Sequence, residues 1–189
     1  MLALAVIINL TAFPTYFGLI SVLAKSTFQT SAANLGFMLG TYSLGAVIGS
    51  VFIGSFKKES SLGKILVIGT AIWHIGIIGL SQVTSLNITW PVLFITGLGQ
   101  SLCAVTMASM LITFTPGDML GRIIGLRQLA VYALPMGLPI AGVMAELMSV
   151  QVALAVDGIF GTILLIGAIL IWPSIYRNSP VSNSIKSDQ

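Results

Sequence analysis

The stretch VQVALAVDGIFGTILLIGAILIW, residues 150–172, decides the fold class, because Asp157 is the only formally charged residue in it. A hydrocarbon core of about 30 Å requires roughly 20 apolar helical residues, each of which rises about 1.5 Å. Five earlier stretches have the same length and character. The six predicted spans, numbered in chain order, are Leu2 to Ala24, Asn34 to Phe56, Ile65 to Val83, Trp90 to Phe114, Ile123 to Ala145 and Val150 to Trp172.

The composition agrees with a chain that shares its apolar surface with lipid. Hydrophobic residues make up 56% of the sequence and charged residues 7%, which is too little charge to cover a soluble globule of this size. A membrane β-barrel would alternate apolar and polar residues, whereas these stretches are apolar nearly throughout. The sequence therefore predicts an all-α integral membrane fold with six transmembrane helices.

The basic residues indicate an orientation, because Lys and Arg accumulate in cytoplasmic connections. Every second connection and the tail are basic, whereas the opposite side has only Lys25. The residues assigned to the cytoplasmic side are Lys57, Lys58, Lys64, Arg122, Arg177 and Lys186. We therefore expect a multi-pass protein of the cell membrane with both termini in the cytoplasm. Residues 1–173 form one six-helix domain, and the polar residues 174–189 form a disordered cytoplasmic tail.

Glycines and prolines inside the spans predict how the helices pack. Three glycine pairs have the spacing that lets helix backbones approach in lipid: Gly36 with Gly40, Gly45 with Gly49, and Gly121 with Gly125. Pro14, Pro135 and Pro139 predict bends in spans one and five. These bends either permit a gating motion or are static packing features.

Motifs for enzymatic chemistry are missing from the sequence. Gly63-Lys64 is followed by Ile65 rather than Ser or Thr, so it is not a phosphate-binding loop. No nucleophile, base and acid combination lies on a connection that water reaches. Lone Cys103 lies inside span four, where packing is its expected role. We expect no enzyme, no cofactor, no metal site and no nucleic-acid partner.

Two connections resemble those of major facilitator superfamily transporters. Residues 45–64, from Gly45-Ala-Val-Ile-Gly49 to Gly63-Lys64, resemble the loop between the eighth and ninth helices of that family. Residues 115–123, Thr-Pro-Gly-Asp-Met-Leu-Gly-Arg-Ile, resemble the element before the eleventh helix of the family. Each motif has one departure: Leu120 replaces the usual first Arg of the second motif, and Lys58 replaces an acidic residue of the first. The resemblance implies a cytoplasmic motif of Gly54, Lys57, Lys58, Gly63, Lys64, Asp118, Gly121 and Arg122.

Residues 137–146 are similar to the following helix in the efflux branch that contains enterobactin and macrolide exporters. The chain therefore resembles a carboxy-terminal six-helix half, and the apolar run directly after Met1 suggests a fragment of a longer chain. Family members bind substrate near the midplane between two halves and rock one half against the other.

The resemblance implies a component of a secondary active exporter that moves drugs, macrolides or siderophores by proton antiport. Its partners would be the lipid bilayer, a small-molecule substrate, and a missing amino-terminal half or a second copy. The alternative is a non-transporting six-helix scaffold or an inactive remnant. A channel is disfavoured because no ring of charged or polar residues is visible.

Polar residues in the spans are the candidate functional residues. The family's cavity helices correspond to spans one and four, which implies substrate lining by Asn9, Thr11, Tyr16, Gln100 and Thr106. Hydrogen bonding between helices is the alternative role for these side chains.

Three ionisable residues inside the spans are further candidates, because such groups are costly in lipid. His74 and Asp157 are a possible proton-coupling pair if spans three and six adjoin, or they make separate hydrogen bonds to neighbouring helices. Arg127 either anchors its helix at the cytoplasmic interface or contributes to substrate or coupling.

Overall fold

The computed structural model describes residues 2–54 and 62–173, without the side chain of Leu2. Both described ranges are built from helices. In chain order they are α1 (Leu2–Thr11), π1 (Thr15–Leu19), α2 (Ile20–Val22), π2 (Leu23–Thr27), α3 (Ala32–Gly54), α4 (Leu62–Ser81), α5 (Leu86–Phe114), α6 (Leu120–Val131), α7 (Leu134–Leu147) and α8 (Val150–Ile171). Lys57, Lys58 and the predicted disordered tail lie outside the described residues.

These helices form six membrane-length spans, which confirms the predicted number. Their bounds are Ala3–Thr27, Ala32–Gly54, Leu62–Ser81, Leu86–Phe114, Leu120–Leu147 and Val150–Ile171. Span four begins at Leu86, four residues before the predicted start at Trp90. The first turn of this helix is polar, so hydropathy alone does not include it in the span. Span six has a clear start, since the Ser149 side chain accepts a hydrogen bond from the Val152 N–H at 3.2 Å.

Spans one and five are irregular. After Pro14 the helix of span one widens into π1, and a second π-helical segment ends the span. Span five is interrupted between α6 and α7, where Tyr132 N–H donates to the Leu129 carbonyl three residues back. Pro135 lies at the start of α7, whereas Pro139 lies inside α7 without ending it. The regular helix is thus interrupted next to Pro14 and Pro135 but not at Pro139, and a gating role stays a prediction.

One of the three predicted glycine pairs packs between helices. A Cβ on Gly45 would meet the backbone of Phe94, and a Cβ on Gly49 would lie 2.9 Å from the Leu98 carbonyl oxygen, so α3 lies directly on α5. The prediction was wrong for Gly36, Gly40, Gly121 and Gly125, which have no neighbour within 4 Å of the built Cβ. Their spacing is the same, but they lie on faces that no described helix covers.

Spans two and five carry the least covered surfaces. Only 28% and 17% of their most apolar windows are buried, against 56% in spans one and three. The large exposed side chains include Phe37, Val51, Tyr132, Met136 and Ile140, each more than half exposed. Each of these two spans therefore presents apolar surface that is open to lipid or to a protein partner.

Candidate functional site

A cleft of about 190 Å³ lies between spans one, four and five. On span one the lining residues recur at positions 5, 8, 9, 13 and 17, which is the spacing of a single helical face. The complete lining is Ala5, Ile8, Asn9, Phe13, Phe17, Ala104, Met107, Arg127, Val131 and Leu134. Two polar side chains therefore face a predominantly apolar and aromatic wall, which is the usual composition of a small-molecule site.

Asn9 is the member of the predicted substrate-lining set that the structure places in this cleft. Its side chain is 6% exposed, and its Nδ2 donates a hydrogen bond of 2.8 Å to the Ala5 carbonyl one turn earlier. An amide has two N–H groups and one carbonyl oxygen, so one donor and the acceptor are still available to a ligand. Substrate lining by Asn9 stays a prediction.

Arg127 lines the same cleft from span five. It is the eighth residue of α6, about 10 Å from the helix start at 1.5 Å per residue. Its side chain is half-buried. Among the acidic residues that the structure describes, Asp118, Glu146 and Asp157, none forms an ion pair with it. Anchoring at the interface and contact with a substrate both stay predictions for Arg127.

The other predicted lining residues lie outside the set that forms the cleft wall. The Tyr16 ring stacks on Tyr42 with centroids 4.8 Å apart, and Gln100 is half-buried on span four. Thr106 is fully buried, and its Oγ1 has no hydrogen-bond partner among the residues that the structure describes. Thr11 points instead towards span three. Their substrate contacts stay predictions.

His74 forms a polar junction between spans one, three and six. Its Nε2 lies 3.0 Å from Thr11 Oγ1, and its Nδ1 lies 2.9 Å from the Thr70 carbonyl oxygen. Span six approaches through Gly161, where a Cβ would meet the imidazole ring and would lie 2.7 Å from Thr11 Oγ1. We call Thr11, His74 and Gly161 the histidine junction.

The Thr70 side chain extends this polar network to span four. Its hydroxyl lies 2.7 Å from the Leu66 carbonyl and 3.1 Å from Cys103 Sγ. Cys103 is fully buried, as expected for a packing role. The histidine junction and its extension thus connect spans one, three, four and six in the interior of the bundle.

Asp157 lies on the buried side of span six with 8% exposure. Spans three and six adjoin, as the coupling hypothesis requires, because a Cβ on neighbouring Gly158 would lie 3.0 Å from the His74 carbonyl. Both ring nitrogens of His74 are nevertheless engaged by Thr11 and Thr70, and Asp157 Oδ2 has no hydrogen-bond partner within the described chain. The two residues are close in the fold without a direct bond, and proton sharing between them stays a prediction.

Sequence reasoning did not identify the aromatic wall of the cleft. Phe13 and Phe17 are four residues apart, with ring centroids 6.0 Å apart, and Phe13 also packs edge-on against Trp73 at 5.0 Å. The i, i+4 spacing was the available signal, but it is common in any apolar helix.

The described part of the cytoplasmic motif lies at helix ends. Gly54 ends α3, Gly63 and Lys64 lie in the first turn of α4, and Asp118 and Arg122 are exposed around the start of α6. Gly121 is also exposed there. Within the described residues no group of three or more His, Cys, Asp or Glu side chains could hold a metal ion.

Six membrane-length helices with a small, mostly apolar cleft between three of them have the architecture of a transporter domain embedded in the bilayer. The profile of the Major Facilitator Superfamily matches residues 2–188, and the chain belongs to this family. The resemblance noted in the sequence is thereby confirmed.

Similar curated proteins include the enterobactin exporters EntS of Shigella flexneri and of Escherichia coli O139:H28, each 34% identical over 100 residues. The aligned stretch covers 52% of this chain and 24% of each relative, so the chain spans less than two thirds of their length. No solved structure matches.

Proposed function

We propose that the chain is the carboxy-terminal six-helix half of a secondary active exporter that moves small amphipathic molecules by proton antiport. The cleft between spans one, four and five is the observation that carries this proposal, because it combines an apolar wall with Asn9 and Arg127. The names of the relatives support a siderophore as one substrate, and drugs or macrolides are the other candidates that the family resemblance implies.

The uncovered faces of spans two and five support a partner. Side chains such as Phe37 and Tyr132, 66% and 68% exposed, offer apolar surface that no described helix covers. A matching amino-terminal six-helix half is the proposed occupant, and a second copy of this chain is the alternative. Co-purification of the chain with a separately tagged half, or with a differently tagged copy, distinguishes the two.

Localisation to the cell membrane with both termini cytoplasmic is part of the proposal, and the distribution of Lys and Arg supports it. A phosphatase that is active only outside the cytoplasm tests this orientation. Fused after residue 83 it is expected to be active, and fused after residue 173 inactive. The reverse pattern would overturn the orientation.

The histidine junction supports proton coupling because it can be hydrogen-bonded in two protonation states. The Thr70 carbonyl only accepts, so His74 Nδ1–H donates to it. In the neutral ring Nε2 accepts from the Thr11 hydroxyl. In the cationic ring Nε2–H donates to Thr11, whose hydroxyl then donates to the Ile7 carbonyl, 2.8 Å away. A proton can therefore be gained or lost there with only a hydroxyl rotation.

Efflux from cells tests the function. The chain and a matching amino-terminal half are co-expressed in a host without its own exporters, and release of enterobactin and of erythromycin is measured with and without an uncoupler. We expect uncoupler-sensitive efflux of at least one compound, reduced by Asn9→Ala but not by Gln128→Ala, which changes an exposed residue. Membrane insertion without efflux would instead support the non-transporting scaffold or remnant.

Coupling is tested separately in the same transporter after reconstitution. Asp157→Asn and His74→Gln each remove a titratable group at nearly constant volume. We expect either variant to weaken efflux that is driven by a proton gradient while substrate binding is retained. Unchanged gradient-driven efflux in both variants would remove His74 and Asp157 from the coupling mechanism.

A further inference from the structure

We infer that the cleft selects organic anions that carry an aromatic or other flat apolar group, with Arg127 as the residue that recognises the negative charge. This inference rests on the proposed function, since it names the chemical class of the transported molecule. It comes from the placement of one cation among otherwise uncharged lining residues.

Arg127 is the only charged residue among those that line the cleft, and no described acidic residue neutralises it. A guanidinium removed from bulk water is costly unless an opposite charge or several acceptors compensate it. A bound carboxylate, catecholate or sulfonate supplies that compensation and accepts two parallel N–H hydrogen bonds from the guanidinium. A cationic ligand would leave the guanidinium without compensation, and a neutral ligand would compensate it only through hydrogen-bond acceptors.

Asn9 provides a second polar group in the cleft, from span one. Its free N–H can donate to the same anion, or its carbonyl oxygen can accept from a ligand hydroxyl. The other lining residues are apolar, and Phe13 and Phe17 line the cleft from one helix. The cleft thus combines one cation and one amide with an aromatic pair.

An anionic lipid headgroup has the same charge chemistry as a small organic anion. We assign the site to the small anion, because the two phenylalanine rings complement a flat group better than they complement flexible acyl chains. The experiment separates the two sources through the lipid composition of the membrane.

Binding is measured with the full chain in nanodiscs of phosphatidylcholine alone. The probes are 2-naphthoate and 2-naphthamide, which have the same ring system and differ in charge, and equilibrium dialysis gives their affinities. We expect 2-naphthoate to bind roughly tenfold more tightly, because a charge-assisted pair exceeds a neutral one by more than about 1.4 kcal/mol. Arg127→Gln should abolish this preference, and Arg127→Lys should retain part of it.

Lys25→Gln is the matched control, since it also removes one positive charge but lies on an exposed position near the opposite end of span one. Its preference for 2-naphthoate should equal that of the unchanged chain. Equal affinities for the two probes, binding of neither, or an unchanged preference in Arg127→Gln would overturn the inference. Loss of 2-naphthoate binding when phosphatidylglycerol is added would assign the site to lipid and would also overturn it.

This outcome is independent of the efflux experiment. A chain that prefers 2-naphthoate through Arg127 but supports no efflux would retain the anion site and lose the transport function. Efflux of a neutral compound without any preference for 2-naphthoate would retain transport and reject the substrate class.

Discussion

Gly161→Ala tests whether the histidine junction holds spans one, three and six together. The added methyl group would meet the His74 ring and would lie 2.7 Å from Thr11 Oγ1, closer than a carbon and an oxygen can approach. His74 cannot simply rotate away, because both ring nitrogens are hydrogen-bonded. Either span six shifts outward or the bond to Thr11 breaks.

The expected cost follows from these two routes. Overpacking a well-filled interior costs about 1–3 kcal/mol, and loss of the His74–Thr11 hydrogen bond adds about 1 kcal/mol. The sum, about 2–4 kcal/mol, corresponds to a decrease in melting temperature of roughly 4–16 °C for a chain of this length. Replacing Gly by Ala in a helix without close neighbours stabilises the protein by up to about 1 kcal/mol. A lower melting temperature for Gly161→Ala would therefore indicate a close contact at this position.

The measurement uses the single cysteine of the chain as a reporter. Cys103 is fully buried, so a thiol-reactive dye labels it only when the bundle opens on heating. Gly167→Ala is the control, because it changes the same helix at a glycine with no neighbour within 4 Å of the built Cβ. Equal melting temperatures for Gly161→Ala and Gly167→Ala would refute the described contact between span six and the histidine junction.

Three further predictions follow from helix contacts. Gly45→Ala should lower the melting temperature by roughly 3–10 °C because its Cβ would overlap the backbone of α5, whereas Gly40→Ala should leave it unchanged or raise it slightly in the same dye assay. Ser149→Ala should cost about 1 kcal/mol in a detergent-unfolding titration, since it removes the cap at the first turn of α8, and Ser149→Asp should restore most of this stability. Thr70→Val should lower the free energy of unfolding by only about 0.5–1 kcal/mol, because it removes the hydroxyl contact with Cys103 but keeps the side-chain volume. Unfolding followed by far-ultraviolet circular dichroism measures this cost, and a cost above that of Gly45→Ala would contradict the prediction.

The number of spans could be predicted from the sequence because lipid imposes a length on each apolar run. Span ends were less predictable, since the first turn of span four contains Asn87 and Thr89, whose polarity hides a continuous helix. The π-helical segments of span one were also not predictable. Pro14 indicates an irregularity nearby but does not determine which hydrogen-bond pattern replaces the regular one.

The candidate site was predictable only where a residue is unusual for its environment. Arg127 and His74 could be selected because ionisable side chains are rare in apolar spans. Asn9 could be selected because the family resemblance assigns its span to the cavity. The partner of His74 was not predictable, because Thr11 lies 63 residues away and the contact depends on how spans one and three rotate against each other. The glycine pairs failed for the same reason, since spacing alone does not tell which face another helix covers.

The irregular points of spans one and five lie against each other, and these two spans both line the cleft. Pro14 has no N–H, so the Leu10 carbonyl lacks its usual helical donor. Gly137, just after the break in span five, lies against that carbonyl group, at a distance that leaves no space for a Cβ. A change of bend in one span therefore displaces the other at this contact. The glycine contacts of α3 with α5, and those of α8 with α4, hold the remaining spans closely together. We therefore predict that movement which alters the cleft involves the two spans that carry Asn9 and Arg127.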